Sequence, residues 1–139
     1  MRNFDYIKDL GFDDLHRYCS AAEETQVCDP EMSAFHCRRA LEYMVRELYV
    51  MKGIVIPERT SLLQMVDDES FSKFINDPKV MMAVHYVRKV GNHGAHAMKV
   101  TKQESFFCLL NIYNVVAAIL LKLQLIQTVK PFDKNLIPG

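Results

Sequence analysis

A chain of 139 residues has room for one domain, and with half of its residues hydrophobic it can bury a core without a disulfide or metal staple. That apolar fraction excludes a disordered polymer. Lys+Arg and Asp+Glu number 17 each, so the formal charge is zero; autonomous binding to a nucleic-acid backbone, which draws on a clear basic excess, is disfavoured, and only a local basic patch fits the composition.

The four cysteines, Cys19, Cys28, Cys37 and Cys108, form no Cys-x-x-Cys pair, and the start Met1-Arg2-Asn3-Phe4-Asp5 is polar where a secretory leader would be apolar. They are expected to be reduced, mostly buried thiols of a cytoplasmic protein. The longest uninterrupted apolar run, Val115 to Leu121, falls well short of the ~20 residues of a membrane span, so none is expected.

In chain order, the first segment, Phe4 to Cys28, is broken at Gly11. After it, Phe12, Leu15, Tyr18-Cys19 and Ala22 recur at helical spacing. Asp29-Pro30 reads as an N-cap with proline at the first helical position, and the helix it opens should run to about Lys52, where Gly53 terminates it. Ala34, Cys37, Leu41, Met44-Val45 and Leu48 share its inner face.

Residues 54–59 form an extended connector containing Pro57. Thr60 or Ser61 caps a short helix through Val66, and Ser70 to Ile75 adds a further turn or two. Asp77-Pro78 repeats the start signal for a helix with Val80-Met81, Val84 and Val87 inside. Its end is expected in the glycine-containing stretch Gly91-Asn92-His93-Gly94-Ala95-His96. Thr101-Lys102-Gln103-Glu104 is a capping box for a long helix to about Thr128, apolar around much of its circumference, as suits a central core helix or a dimer face. The tail, 129–139, holds two prolines and has no period. No strand pattern or repeat occurs, so the chain is expected to be all-α: about five helices in a bundle over residues 1–128, closed by a long apolar C-terminal helix.

Two stretches carry a resemblance. Arg38-Arg39-Ala40-Leu41-Glu42-Tyr43-Met44-Val45-Arg46-Glu47-Leu48 is followed by Lys52-Gly53-Ile54, and Val87-Arg88-Lys89-Val90-Gly91-Asn92 leads to Ala95-His96. Together they resemble the helical domain at the N-terminus of type I restriction enzyme R subunits, a HEPN-like family. The resemblance covers roughly residues 12 to 125. It implies a HEPN-like bundle in which Arg38, Arg39, Glu42, Arg88, Lys89, Gly91, Asn92 and His96 form a binding or structural motif. It also implies a parent enzyme that cleaves DNA with ATP. The chain itself has no G-x-x-x-x-G-K-[ST] loop and no acidic cluster paired with a lysine for nuclease chemistry. The expected role is therefore a non-catalytic accessory domain. It would need no cofactor, would dock other restriction-modification subunits or position DNA or RNA, and Pro131 to Pro138 would lead out of it as a linker.

The chemistry-bearing residues are Arg88, Asn92, His93 and His96, with His85 one turn earlier. His85, Arg88 and Asn92 share a helix face. HEPN ribonucleases use an Arg and a His a few residues apart, acting on RNA across a dimer. Arg88 and His93, with four residues between them, fit that spacing, whereas the histidine shared with the restriction subunits is His96, with seven. A histidine titrating near neutrality can move the proton of a ribose 2′-hydroxyl and an arginine can hold the phosphate charge, without a metal. The competing reading is structural: Asn92 and His96 close the helix end, Gly91 permits close packing, and Arg38 or Arg39 turns inward to brace that corner. A metal site built on His93-x-x-His96 would need His36 or Cys37 from another helix, and no spacing supports it. Arg38, Arg39, Arg46 and Lys52 alternate with Glu42 and Glu47 as an ordinary salt-bridged face. A plain helical homodimerisation module is the third reading, on the neutral charge and the apolar last helix.

Overall fold

The computed structural model describes residues 1–96 and 98–139. Six α-helices follow one another: α1 (Asp13–Thr25), α2 (Pro30–Met51), α3 (Leu62–Asp67), α4 (Glu69–Ile75), α5 (Pro78–Ala95) and α6 (Lys102–Lys122). A 3-10 turn, Asp5–Leu10, precedes them and another, Lys134–Leu136, follows. No strand occurs among the described residues, and the protein is an all-α bundle.

The helix starts are written locally. Asp29 accepts from the Met32 N–H at 3.2 Å and Pro30 occupies the first turn of α2. Asp77 accepts from the N–H groups of Lys79 and Val80 at the start of α5. Ser61–Gln64 and Thr101–Glu104 both close reciprocal capping boxes, so Ser61 rather than Thr60 caps α3.

One helix end diverges from expectation. α2 stops as its sequence implies, with Gly53 at φ 71° and the Ile54 N–H returning to the Tyr49 carbonyl at 3.0 Å. α6 was expected to reach Thr128 but ends at Lys122. There Gln124 takes the left-handed conformation (φ 60°), and its N–H and that of Leu125 bond to Leu121 O and Leu120 O, each at 3.0 Å. This is the same closure without a glycine to announce it. α5 ends at Ala95, within the stretch expected to close it, and Gly91 and Gly94 both lie inside the helix.

Those glycines set the central packing. A Cβ on Gly91 would lie 2.4 Å from Arg38 Cβ and 2.8 Å from the Ala34 carbonyl, and one on Gly94 would lie 2.3 Å from the Glu31 carbonyl. As α5 ascends, its partners on α2 descend, so the two helices run antiparallel with backbones in near contact. α1 and α6 pack beside this pair, while α3 and α4 cover its other end. There Tyr49 donates its hydroxyl to the Met65 carbonyl at 2.7 Å.

α6 has the length and apolarity to cross a bilayer, yet Cys108, Leu109, Ile112, Val115, Val116, Ile119 and Leu120 are fully buried inside the bundle. A helix apolar on nearly every side is here the core helix. Gln26 and Ser33 reach the core with partners: Gln26 donates to Lys102 O and Ser105 Oγ, both at 2.9 Å, and Ser33 Oγ donates to Ala22 O at 2.7 Å.

Residues 129–139 have no regular structure beyond one 3-10 turn, but they do not lead away from the bundle. Tyr113 donates its hydroxyl to Lys130 O at 2.6 Å, and the Phe132 ring meets Tyr113 edge-on at 5.3 Å. Asn3 exchanges two hydrogen bonds with the Asp133 backbone, and Arg2 donates to Leu136 O. The same Asn3 donates through its amide and backbone N–H groups to the buried carboxylate of Glu23 on α1. The expected linker is thus a strap joining both termini over α1 and α6.

Two predictions follow from this packing. Gly91→Ala and Gly94→Ala should each destabilise the protein by about 1–3 kcal/mol in urea unfolding, although alanine is the better helix former by about 1 kcal/mol; the exposed Asn92→Ala should change stability by less than about 0.5 kcal/mol. The second concerns Glu23, whose carboxyl burial pushes above its ordinary value against the opposing pull of the Asn3 donors. The folded state therefore keeps this proton at a pH where the unfolded chain has released it. The stabilisation is fully present below the ordinary glutamate range and is lost as pH rises through the folded value. Glu23→Gln removes the titration, so lowering the pH from 7 to 5 should raise the melting temperature of the wild type relative to the variant.

Candidate functional site

The residues singled out in the sequence lie along the α2–α5 contact, and helical geometry sorts them. At about 100° per residue, Asn92 lies roughly 40° and His85 roughly 60° from Arg88 around α5, whereas His93 lies roughly 140° away. Arg88, His85 and Asn92 form one stripe; His93 belongs to another face.

The contacts agree. Arg88 Nε donates to His85 Nδ1 at 3.3 Å, and His85 Nε2 faces the Asp67 carboxylate of α3 at 3.8 Å. Burial and the neighbouring Arg88 guanidinium both push the His85 pKa down, with Asp67 opposing them. The ring is thus neutral at pH 7, accepting at Nδ1 and presenting Nε2–H. Lys89, Asn92 and His96 are exposed and His93 is half-buried.

On α2, Arg38, Glu42 and Arg46 stand at steps of four. Glu42 bridges them, 3.7 Å from Arg38 Nη1 and 3.0 Å from Arg46 Nη2, while Arg46 Nη2 also reaches the Thr60 carbonyl at 2.9 Å. Arg38 is the inward arginine. Its Cα and Cβ lie against Gly91, and its buried Nε has no hydrogen-bond partner. Arg39 turns the other way, its guanidinium 4.3 Å from the Tyr18 ring centroid and 5.6 Å from that of Phe35.

The helix end is closed by backbone. The His96 N–H bonds to Asn92 O and His93 O, and the Met98 N–H returns to His93 O at 2.8 Å. The side chains of Asn92 and His96 make no hydrogen bond among the described residues, so the expected side-chain clasp at this corner is a main-chain one. Glu31, at the start of α2, accepts from the Val100 N–H at 3.3 Å and pins the loop that follows. The arrangement assembles Arg88 with His85 and leaves His93 and His96 apart from it within one chain. Cys37 is buried in the core, and no three His, Cys, Asp or Glu side chains converge among the described residues. Cys19, Cys37 and Cys108 are buried, Cys28 is exposed and all four are free; burial raises the Cys19 and Cys37 thiols, which keeps them protonated.

A second feature was not anticipated. An open apolar hollow of about 390 Å³ lies between the C-terminal end of α2 and α4, lined by Leu48, Tyr49, Lys52, Ile54, Phe71 and Phe74 among others. Its trace in the sequence is the run of apolar residues around Gly53, in a connector that otherwise reads as polar. Gly94 likewise escaped the motif; its signal is the Gly-x-x-Gly spacing, which places both glycines on one helix face.

Residues 20–129 match the model of a family described as Domain of unknown function (DUF4145), and the chain belongs to that family. No curated protein and no solved structure matches it.

The His85–Arg88 pair makes a direct prediction. In an NMR titration His85 should lose its proton at a lower pH than free histidine, and Arg88→Ala should move it upward, because the guanidinium that opposes the imidazolium is gone.

Proposed function

We propose that this DUF4145-family chain is a non-catalytic, cytoplasmic accessory module of a type I restriction-modification enzyme, a HEPN-like domain that docks partner subunits beside the parts that move and cut DNA. The observation that carries the reading is the use to which the motif residues are put. Gly91 and Arg38 make the helix contact, Glu42 braces Arg38 and Arg46, and Arg88 holds the neutral His85 ring. These are packing and bracing roles that explain the motif without a reaction. Neutral overall charge supports docking to protein over independent binding to nucleic acid.

One contact favours a rival. Arg88, oriented by its hydrogen bond to His85, can hold the phosphate charge in metal-independent RNA cleavage, while His93 or His96 from the second chain of a homodimer moves the ribose proton. The experiment pairs two measurements. The domain is co-expressed with the methyltransferase and specificity subunits of its own type I system, and the purified chain is incubated with RNA in EDTA. Stable co-purification without RNA cleavage is expected. Cleavage that vanishes in Arg88→Ala and in His93→Ala or His96→Ala, with folding retained, would replace the accessory role by a ribonuclease.

A further inference from the structure

Four of the exposed large apolar residues adjoin one another in sequence, where α2 gives way to the connector. Val50 and Met51 close α2 with 68% and 43% of their surface exposed, and Ile54 and Val55 follow Gly53 at 42% and 89%. The Schellman closure at Gly53 is what turns the connector back and sets Ile54 on the lip of the hollow. The floor is made by Leu48 and Phe71, both buried, and Phe74 forms a wall. The result is an open apolar depression with the half-exposed Ile54 at its rim, a shape that takes one anchoring side chain of a chain segment.

Charge narrows the occupant. Lys52 holds its ammonium 4.8 Å from the Phe74 ring centroid and makes no salt bridge among the described residues, while Lys73, also at the rim, is paired with Glu69 at 2.9 Å. An apolar side chain seated beside Lys52 removes water from an ammonium that has the Phe74 ring but no carboxylate as partner among the described residues, and an incoming anion restores what is lost. A second copy of this chain on a twofold axis would bring the two Lys52 side chains towards each other, which disfavours self-association here.

We propose that this hollow is the docking site for an acidic segment of a partner protein, with a bulky apolar side chain inserted over Leu48 and Phe71 and a neighbouring carboxylate on Lys52. The assignment rests on the docking role above and gives it a surface, one lying at the α4 end of α2 and away from the Gly91–Gly94 contact.

The test is an NMR titration of the full chain with two synthetic peptides, acetyl-Glu-Leu-Phe-Glu-amide and acetyl-Gln-Leu-Phe-Gln-amide. Saturable shifts at residues 48–55 and 70–74 are expected with the acidic peptide. Affinity should fall about tenfold for the neutral peptide and for Lys52→Gln, the loss that corresponds to one desolvated ion pair, and should vanish in Ile54→Asp. Both substitutions are at exposed positions, and an unchanged melting temperature shows that the fold is intact. Shifts confined to other surfaces, equal affinity for the two peptides, or no binding at all overturns the assignment. So does a dimer in sedimentation analysis that Ile54→Asp dissociates, which would give the hollow to a second copy. None of these outcomes touches the accessory role itself, which stands or falls on co-purification with the other subunits.

Discussion

The close approach of α5 to α2 is the constraint on which the rest of the architecture depends. Two glycines one turn apart let the backbone of α5 lie on the Glu31–Arg38 stretch of α2, where even a methyl group would meet carbonyl oxygens and the Arg38 side-chain root. Glycine inside a helix costs conformational entropy, and the cost is borne here because no other residue allows the interaxial distance. With this pair drawn together, α6 can seat its apolar side chains against both helices. α1 closes the other flank, and α3 and α4 cover the far end.

The same contact explains the polar residues around it. Arg38 cannot point freely into water, because its root is trapped under Gly91, and Glu42 is placed one turn on to receive its head group. Arg46 continues the ladder to the Thr60 carbonyl and so ties α2 to the loop before α3. On the facing helix, Arg88 folds back along its own axis to His85, which in turn faces Asp67. What reads in one dimension as an arginine- and histidine-rich signature is in three dimensions a set of braces between α2, α3 and α5. The exposed side chains of Lys89, Asn92 and His96 are the part of the signature left to solvent.

Both termini depend on side chains far from them in sequence. Asn3 joins the N-terminus to the buried Glu23 carboxylate and to the Asp133 backbone, and Tyr113 on α6 holds the tail through Lys130 and Phe132. An aromatic seam of the buried Tyr113 with the half-buried Tyr6, Phe106 and Phe132 runs under this strap. Removing water from Glu23 is unfavourable for its charged form, and the two Asn3 donors are the compensation the fold provides.

By itself the sequence determined the helical class, the starts of four helices and most of the core, because N-caps, capping boxes and apolar periodicity act over three or four residues and are complete within their own segment. Asp29-Pro30, Ser61 with Gln64, Asp77-Pro78 and Thr101 with Glu104 are of this kind. Tertiary structure decided what depends on a distant neighbour. The sequence placed the end of α5 within Gly91–His96, but that both glycines lie inside the helix, pressed on α2, is set by the presence of α2 against them. α6 ends at Lys122 through a left-handed turn at Gln124 that no local residue type signals, and the tail reads as a linker until Asn3 and Tyr113 are brought to it. The candidate site divides along the same line. Spacing placed His85, Arg88 and Asn92 on one face, but which arginine turns inward, which histidine an arginine meets and where an apolar hollow opens are set by the approach of one helix to another.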